Sequence, residues 1–264
     1  MDTKYQAYLP DKDGYINYTI EDNETWGILY NRQVPLIQNR ACSEYIEGLN
    51  LLNIGATKVP QPIELSERLR NLTGWAVEPV PALISFKLFF ELLSERKFPA
   101  ASFIRTREEL DYLKEPDIFH EVFGHCPLLT NPSFAKLTEK IGQLGLELSK
   151  ENRVLLARLY WFTVEFGLMN TIDGLKIYGA GILSSKTESI YSLEDPKPIR
   201  KEFDIIDILR TPYRYDELQK TYYIIDSFED IYNMISSNTL EIFETARQLG
   251  MKSEDTINHT IMGC

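Results

Sequence analysis

Apolar positions recur along this chain mostly at helical spacing. In "NRACSEYIEGLNLLNI", Ala41, Tyr45, Leu49 and Leu52 return every three to four residues, which places them on one helix face. The rest of the N-terminal third, through "KVPQPIEL", reads as turn-rich and polar. "SERLRNLTGW" predicts a helix stopped by Gly74, and "ALISFKLFFELLSER" predicts another after Pro79 and Pro81. "FPAASFIR" has the aromatic and β-branched character of a short strand. "TREELDYL" opens with a capping box, Thr106 as cap and Glu109 three residues on. "PDIFHEVFG" starts with Pro116 at a favoured first helical position and should end at Gly124. "NPSFAKLTEKIGQLGLELSK" and "ENRVLLARLYWFTVEFGLMN" predict two longer helices. "LKIYGAGILSS" reads as a strand and tight turn, and "TLEIFETARQLG" as an amphipathic helix over residues 239–250. With no repeat, low-complexity tract or Gly/Ser linker, the expectation is one domain over residues 1–264. Its class is mainly α, or α+β with a few short strands.

Composition narrows the class of partner. With 28 basic and 39 acidic side chains the net charge is −11, which opposes binding to polyanions and excludes nucleic acid as a partner. The longest apolar runs are interrupted by Lys87, Arg158 and Glu165, so no stretch of about 20 apolar residues predicts a membrane span. "MDTKYQAYLPDKDGY" lacks the basic-then-apolar pattern of a secretory signal, and the expected location is the cytoplasm. Cys42, Cys126 and Cys264 are too few and too scattered for a disulfide framework, so reduced thiols are expected. The 15 Tyr and 13 Phe supply material for flat apolar pockets without indicating a ligand.

The chemistry concentrates in "EPDIFHEVFGHCPLL", which holds two of the three histidines, His120 and His125. Five residues apart on a regular α-helix they are rotated by about 140°, so they cannot share a face. A helix ending at Gly124, with Pro127 barring its resumption, would let both imidazoles reach one metal. The same spacing argues against the HExxH zinc peptidases, in which the histidines are four apart. Two ordinary histidines hydrogen-bonded near a helix end remain the alternative, and Cys126 reads as a buried thiol rather than a ligand. Glu165 in "LARLYWFTVEFGLMN" is the candidate third ligand. At helical spacing its neighbours are Trp161, Phe162, Leu168 and Met169, a face on which a lone carboxylate is costly unless a cation meets it. An ion pair with Arg153 or Arg158 is the other explanation. Two histidines and a carboxylate leave open positions, as in oxygen-activating non-haem iron sites, but spacing does not separate iron from zinc.

"PDIFHEVFGHCP", "YWFTVEFGL" and "YGAGILSS" together resemble three blocks of the pterin-dependent aromatic amino acid hydroxylases, and the likeness runs from about "LTGW" through "TPYRYDELQ". Within that family the chain is most similar to the bacterial, single-domain members that hydroxylate phenylalanine, without a regulatory domain. The resemblance implies a catalytic domain of that type, with Fe(II) held by His120, His125 and Glu165. It implies conversion of L-phenylalanine to L-tyrosine with O₂ and tetrahydrobiopterin or a related tetrahydropterin, and small molecules as partners, in a monomer or homodimer. Position by position it places Phe89 against the pterin ring, the backbone near Ala82 and Ile84 at its hydrogen-bonding loop, and Glu121 facing it. Tyr160 falls close to the iron, Arg105 on the amino acid carboxylate, Trp161 in the substrate pocket, and Ser184 and Glu188 behind iron and substrate. Leu113 and Phe86 stand where animal members have a threonine near the substrate and a serine near the pterin. From the residues alone, Phe89, Tyr160 and Trp161 read as core, and Arg105 as a surface partner of Glu108 or Glu109. "YGAGILSS" contains GxGxxS but lacks a dinucleotide loop's third small residue and βαβ setting, so Gly179 and Gly181 read as close-packing turn glycines. The rival readings are a zinc hydrolase with Glu121 as general base, a sibling hydroxylase of tryptophan or tyrosine, and a noncatalytic metal- or pterin-binding module.

Overall fold

The computed structural model describes residues 5–111 and 113–253. It begins with a helix that the N-terminal pattern does not announce, α1 (Ile20–Ile37). Thr19 caps it by accepting the Asp22 N–H (3.1 Å), and the Asp22 carboxylate accepts the Thr19 N–H (2.8 Å). Its buried stripe of Trp26, Leu29, Gln33 and Ile37 is thin and includes a glutamine, and Pro35 lies in its last turn, which explains the polar reading. α2 (Ser43–Leu51) lies within the predicted helical run but leaves Ala41 and Leu52 outside it; α3 (Pro62–Leu72) begins four residues before "SERLRNLTGW", inside a segment that reads as turn-rich, and ends as expected before Gly74, which has φ +82°.

β1 (Ala76–Val80) and β2 (Lys97–Ala101) pair in parallel, joined by α4 (Phe86–Ser94). α4 is shorter than its apolar run because Ser85 caps it, accepting the Leu88 N–H, and this leaves Ala82 and Ile84 in the preceding loop. The Thr106 capping box forms but closes only a 3₁₀ turn, Arg107–Glu109. α5 (Pro132–Glu147) packs against α4 so closely that a Cβ on Gly145 would lie 2.1 Å from the Phe90 ring. α6 (Lys150–Tyr160) leads toward β3 (Gly167–Thr171) and β4 (Gly174–Ile177), so the second long helical run ends before Leu168.

α7 (Ala180–Leu183), α8 (Lys186–Glu194), β5 (Ile199–Glu202), α9 (Ile205–Arg210) and β6 (Thr221–Ile225) complete a four-stranded sheet of order β4-β3-β6-β5. α10 (Phe228–Ser237) and α11 (Thr239–Leu249) follow, the latter matching the expected amphipathic helix. One continuous apolar core runs from Ile16 to Ala246, with Ala82, Ala101 and Phe103 forming a small satellite. A Cβ on Gly179 would lie 2.4 Å from the Glu165 carbonyl oxygen, so this glycine permits close packing as its sequence suggests. Cys42 and Cys126 are buried and unpaired, with burial pushing the Cys42 thiol up to about 12. No helix among the described residues is long and apolar enough to cross a membrane.

Candidate metal centre and adjoining cavity

Both segments that carry the candidate ligands are π-helical: Phe119–His125 and Trp161–Glu165. A π-helix closes its turn with i→i+5 hydrogen bonds, as the Phe166 N–H does onto the Trp161 carbonyl (2.9 Å). Residues five apart therefore lie about one turn apart and can face the same way. This corrects the expectation that the helix breaks at Gly124. The chain widens instead, passes directly into a 3₁₀ turn at Cys126–Thr130, and Gly124 keeps an ordinary negative φ. That glycine serves packing, since a Cβ there would lie 2.9 Å from the Ala180 carbonyl oxygen of α7. Glu165 also sits differently from its expected helical face, because Leu168 and Met169 belong to β3.

The two Nε2 atoms of His120 and His125 are 3.2 Å apart. Glu165 brings one oxygen 3.1 Å from His125 Nε2 and the other 3.5 Å from His120 Nε2. Ligands about 2.1 Å from one ion and at right angles around it are separated by about 3 Å, so each of these spacings suits neighbouring positions around one ion. Tautomer logic supports a cation at its centre. Ser184 donates its hydroxyl hydrogen to the Ala180 carbonyl (2.8 Å), so its oxygen must accept from His120 Nδ1 (2.9 Å). The Nε2 of His120 is then a bare lone pair facing a carboxylate, an unfavourable meeting that a divalent cation resolves. His125 Nδ1 is buried without a hydrogen-bond partner, so no second residue fixes that ring's tautomer.

Two carboxylates compete for the third position, because Glu121 also places an oxygen within 4.8 Å of both imidazoles. Burial tends to raise the pKa of both. For Glu165 the imidazoles of His125 and His120 outweigh it and hold the carboxyl below the usual range; for Glu121 burial and the Glu165 charge push it well above. His120 is driven down to about 4, chiefly by burial. Distance favours Glu165 as the ligand.

His120 and Glu165 form the floor of a cavity of about 530 Å³ whose walls include Arg105, Trp161, Ser184, Glu188 and Gln219. Arg105 is not the surface side chain its neighbours suggest. It is 8% exposed and forks onto Asp117, with Nε to Oδ2 and Nη2 to Oδ1 both at 2.8 Å. Asp117 also accepts the backbone N–H of Arg105 (2.9 Å) and of His120 (3.1 Å), so one buried carboxylate ties the arginine to a ligand-bearing segment. Glu188 accepts the Gln219 N–H (3.1 Å) and the Tyr222 hydroxyl, and burial raises its pKa.

The family described as biopterin-dependent aromatic amino acid hydroxylase matches residues 3–250. The chain belongs to this family. The hydroxylase is 49% identical over 249 residues to a phenylalanine-4-hydroxylase of Pseudomonas aeruginosa, a match covering 94% of this chain and 95% of that one. It resembles the apo phenylalanine hydroxylase of Colwellia psychrerythraea at 51% identity and a TM-score of 0.91, over 94% of this chain and 97% of that one. A Chromobacterium violaceum phenylalanine hydroxylase structure with iron(III) and 7,8-dihydrobiopterin matches at 45% identity and a TM-score of 0.86, over 92% and 88% of the two chains.

Phe89, Tyr160, Ala82 and Ile84 lie outside the cavity, the first two packed toward His125. Phe89 meets Tyr160 edge-on (5.3 Å between centroids), and Tyr160 lies against His125 at 6.4 Å. Ala82 is buried beside Ala101 and Phe103. Ile84 is half-buried, whereas Phe86 is 66% exposed. Leu113 lines the cavity near Arg105. Sequence reasoning missed Asp117, Gln219 and Tyr222. Asp117 had a legible signal, an acidic residue three before His120, which is the spacing at which a side chain caps a helix start. Gln219 and Tyr222 had none.

Proposed function

We propose that this hydroxylase converts L-phenylalanine to L-tyrosine with O₂ and a tetrahydropterin at a ferrous centre held by His120, His125 and Glu165. The convergence of two imidazoles and one carboxylate beside a cavity of about 530 Å³, which His120 and Glu165 line, carries the reading, and the relatives named phenylalanine-4-hydroxylase support the substrate. Such a ligand set leaves half of an octahedral sphere free. Held there, iron and a reduced tetrahydropterin would supply the O₂ activation and the two electrons that putting one oxygen atom of O₂ into the ring requires, the other oxygen being accounted for in the oxidised cofactor and water.

The chain's own side chains orient and protect. Ser184 holds His120 in the tautomer that presents Nε2 to the metal. Arg105, its Nε side locked by Asp117, keeps its outer edge for the amino acid carboxylate and so aims the aromatic ring at the centre. Trp161 walls the ring's place, and Glu188 stiffens that wall through Tyr222 and Gln219. On the far side Phe89 offers its face to the pterin, Ala82 and Ile84 offer backbone, and the Glu121 carboxyl, its pKa raised by burial and by the Glu165 charge, faces the same place. Tyr160 lies between Phe89 and His125 and helps exclude water. The unpaired buried cysteines suit a cytoplasmic setting.

Product analysis tests the reading: the protein loaded with Fe(II) and given a tetrahydropterin, O₂ and each aromatic amino acid should form tyrosine from phenylalanine. Faster turnover of tryptophan or tyrosine would move it to a sibling activity. Activity that persists with zinc after iron is removed would overturn it.

A further inference from the structure

Gln219 is 4% exposed and plays no part in the metal cluster, yet its amide is almost wholly committed. Oε1 accepts the Trp161 indole N–H at 3.0 Å, and Nε2 donates to the carbonyls of Arg214 (2.8 Å) and Glu217 (3.3 Å). The indole only donates and the carbonyls only accept, so the amide can point one way. Its backbone N–H reaches Glu188, which also holds Tyr222. One residue thereby joins the end of the Trp161–Glu165 π-helix, the 214–217 loop and α8. Trp161 in turn stacks on Tyr213 (centroids 4.4 Å apart, planes 18°) and packs at a tilt against Phe166 (4.7 Å). The loop residues Tyr215, Asp216, Glu217 and Leu218 line the same cavity as Trp161.

We infer that Gln219 is a positioning residue that sets substrate choice, by fixing the width of the cavity between the Trp161 indole and the 214–218 loop. It does not touch the reacting atoms. The inference rests on the reading of this cavity as the amino acid site. A glutamine suits the task because, among uncharged side chains, only the primary amides of Asn and Gln present one acceptor and two donors in a single rigid plane, and Gln reaches one methylene further. Gln219→Leu frees both the indole and the loop, whereas Gln219→Glu keeps an acceptor for the indole and sets an oxygen against two carbonyls, freeing the loop alone.

The test is steady-state kinetics with phenylalanine and tryptophan on the iron-loaded full chain with a tetrahydropterin, together with calorimetric binding of L-phenylalanine to the same protein without pterin. Gln219→Leu should raise the phenylalanine KM and Kd about tenfold and lower the phenylalanine-to-tryptophan ratio of kcat/KM by a similar factor. Its kcat should stay within about threefold and its pterin KM unchanged. Gln219→Glu should show the same direction with a smaller loss. Trp161→Phe added to Gln219→Leu should cost less than it does alone, because the bond is already gone. An unchanged substrate ratio in both variants, or phenylalanine and pterin KM rising together with a lower Tm, assigns Gln219 a merely structural role and overturns the inference. Failure of the unaltered protein to bind or hydroxylate phenylalanine would instead overturn the functional reading beneath it.

Discussion

The two sides of the centre are built in opposite ways. On the amino acid side the wall includes polar groups that are buried and paired: Arg105 with Asp117, Ser184 with His120, Glu188 with Tyr222 and Gln219. On the side assigned to the pterin, the segment from Ala82 to Phe90 presents mostly carbon, with Leu83, Phe86 and Leu88 exposed and Phe89 edge-on to Tyr160. A buried polar wall must satisfy itself before any ligand arrives, because each unpaired group costs about 1–3 kcal/mol. Its shape is therefore set in advance. An apolar wall carries no such requirement and gains by burying a flat ligand, so the ligand completes it.

The sharpest way to break the contrast is to remove what the two sides share. Glu165→Ala should abolish iron retention and tyrosine formation whatever either wall does, checked by metal analysis and product assay; full iron content and rate would disprove the ligand assignment. Next in size is Asp117→Ala, which strands a buried guanidinium and should cost about 3–5 kcal/mol in urea unfolding. That loss would confine a large stability effect to the polar side.

Ser184→Ala should leave the fold intact and weaken iron binding about 10- to 100-fold, measured by titration with Fe(II) under argon. Phe89→Leu, on the apolar side, should do least: a pterin KM raised about three- to tenfold with little change in unfolding midpoint. Equal stability losses for Asp117→Ala and Phe89→Leu would erase the distinction.

Acid titration sharpens it further. Burial alone would raise the Asp117 pKa, but Arg105 and the surrounding N–H donors outweigh burial and hold it below its ordinary value. Unfolded, the same carboxyl titrates near 4, roughly. Its contribution to stability is thus complete above that pH and is lost as pH falls toward the folded value. Asp117→Asn should flatten the acid arm of the stability curve and leave the arm above about pH 5 parallel to the parent's.

How much of this could be read from the chain depended on the distance over which each cause acts. α2, α3, α5 and α11 were legible because a repeated apolar stripe is a local property. α1 was hidden because its stripe is thin, its buried Gln33 pairs with the Leu183 carbonyl and with Ser189, and those partners lie far along the chain. His120 and His125 drew attention through rarity and spacing, yet the backbone that aligns them was misread. A π-helix is unfavourable by itself and survives here where α7 packs on Gly124 and Ser184 bonds His120.

From the sequence alone came the helical class, the anionic surface, the residue types able to bind a metal and the family resemblance, all of which depend on composition and short-range order. Only the folded chain decided that a π-helical backbone brings both imidazoles together beside Glu165, that Arg105 is anchored by Asp117, and that Gln219 ties Trp161 to a loop more than 50 residues away. Those choices depend on distances of about 3 Å between groups far apart in the chain, and hydrogen bonding and Coulomb energy are decided at that scale.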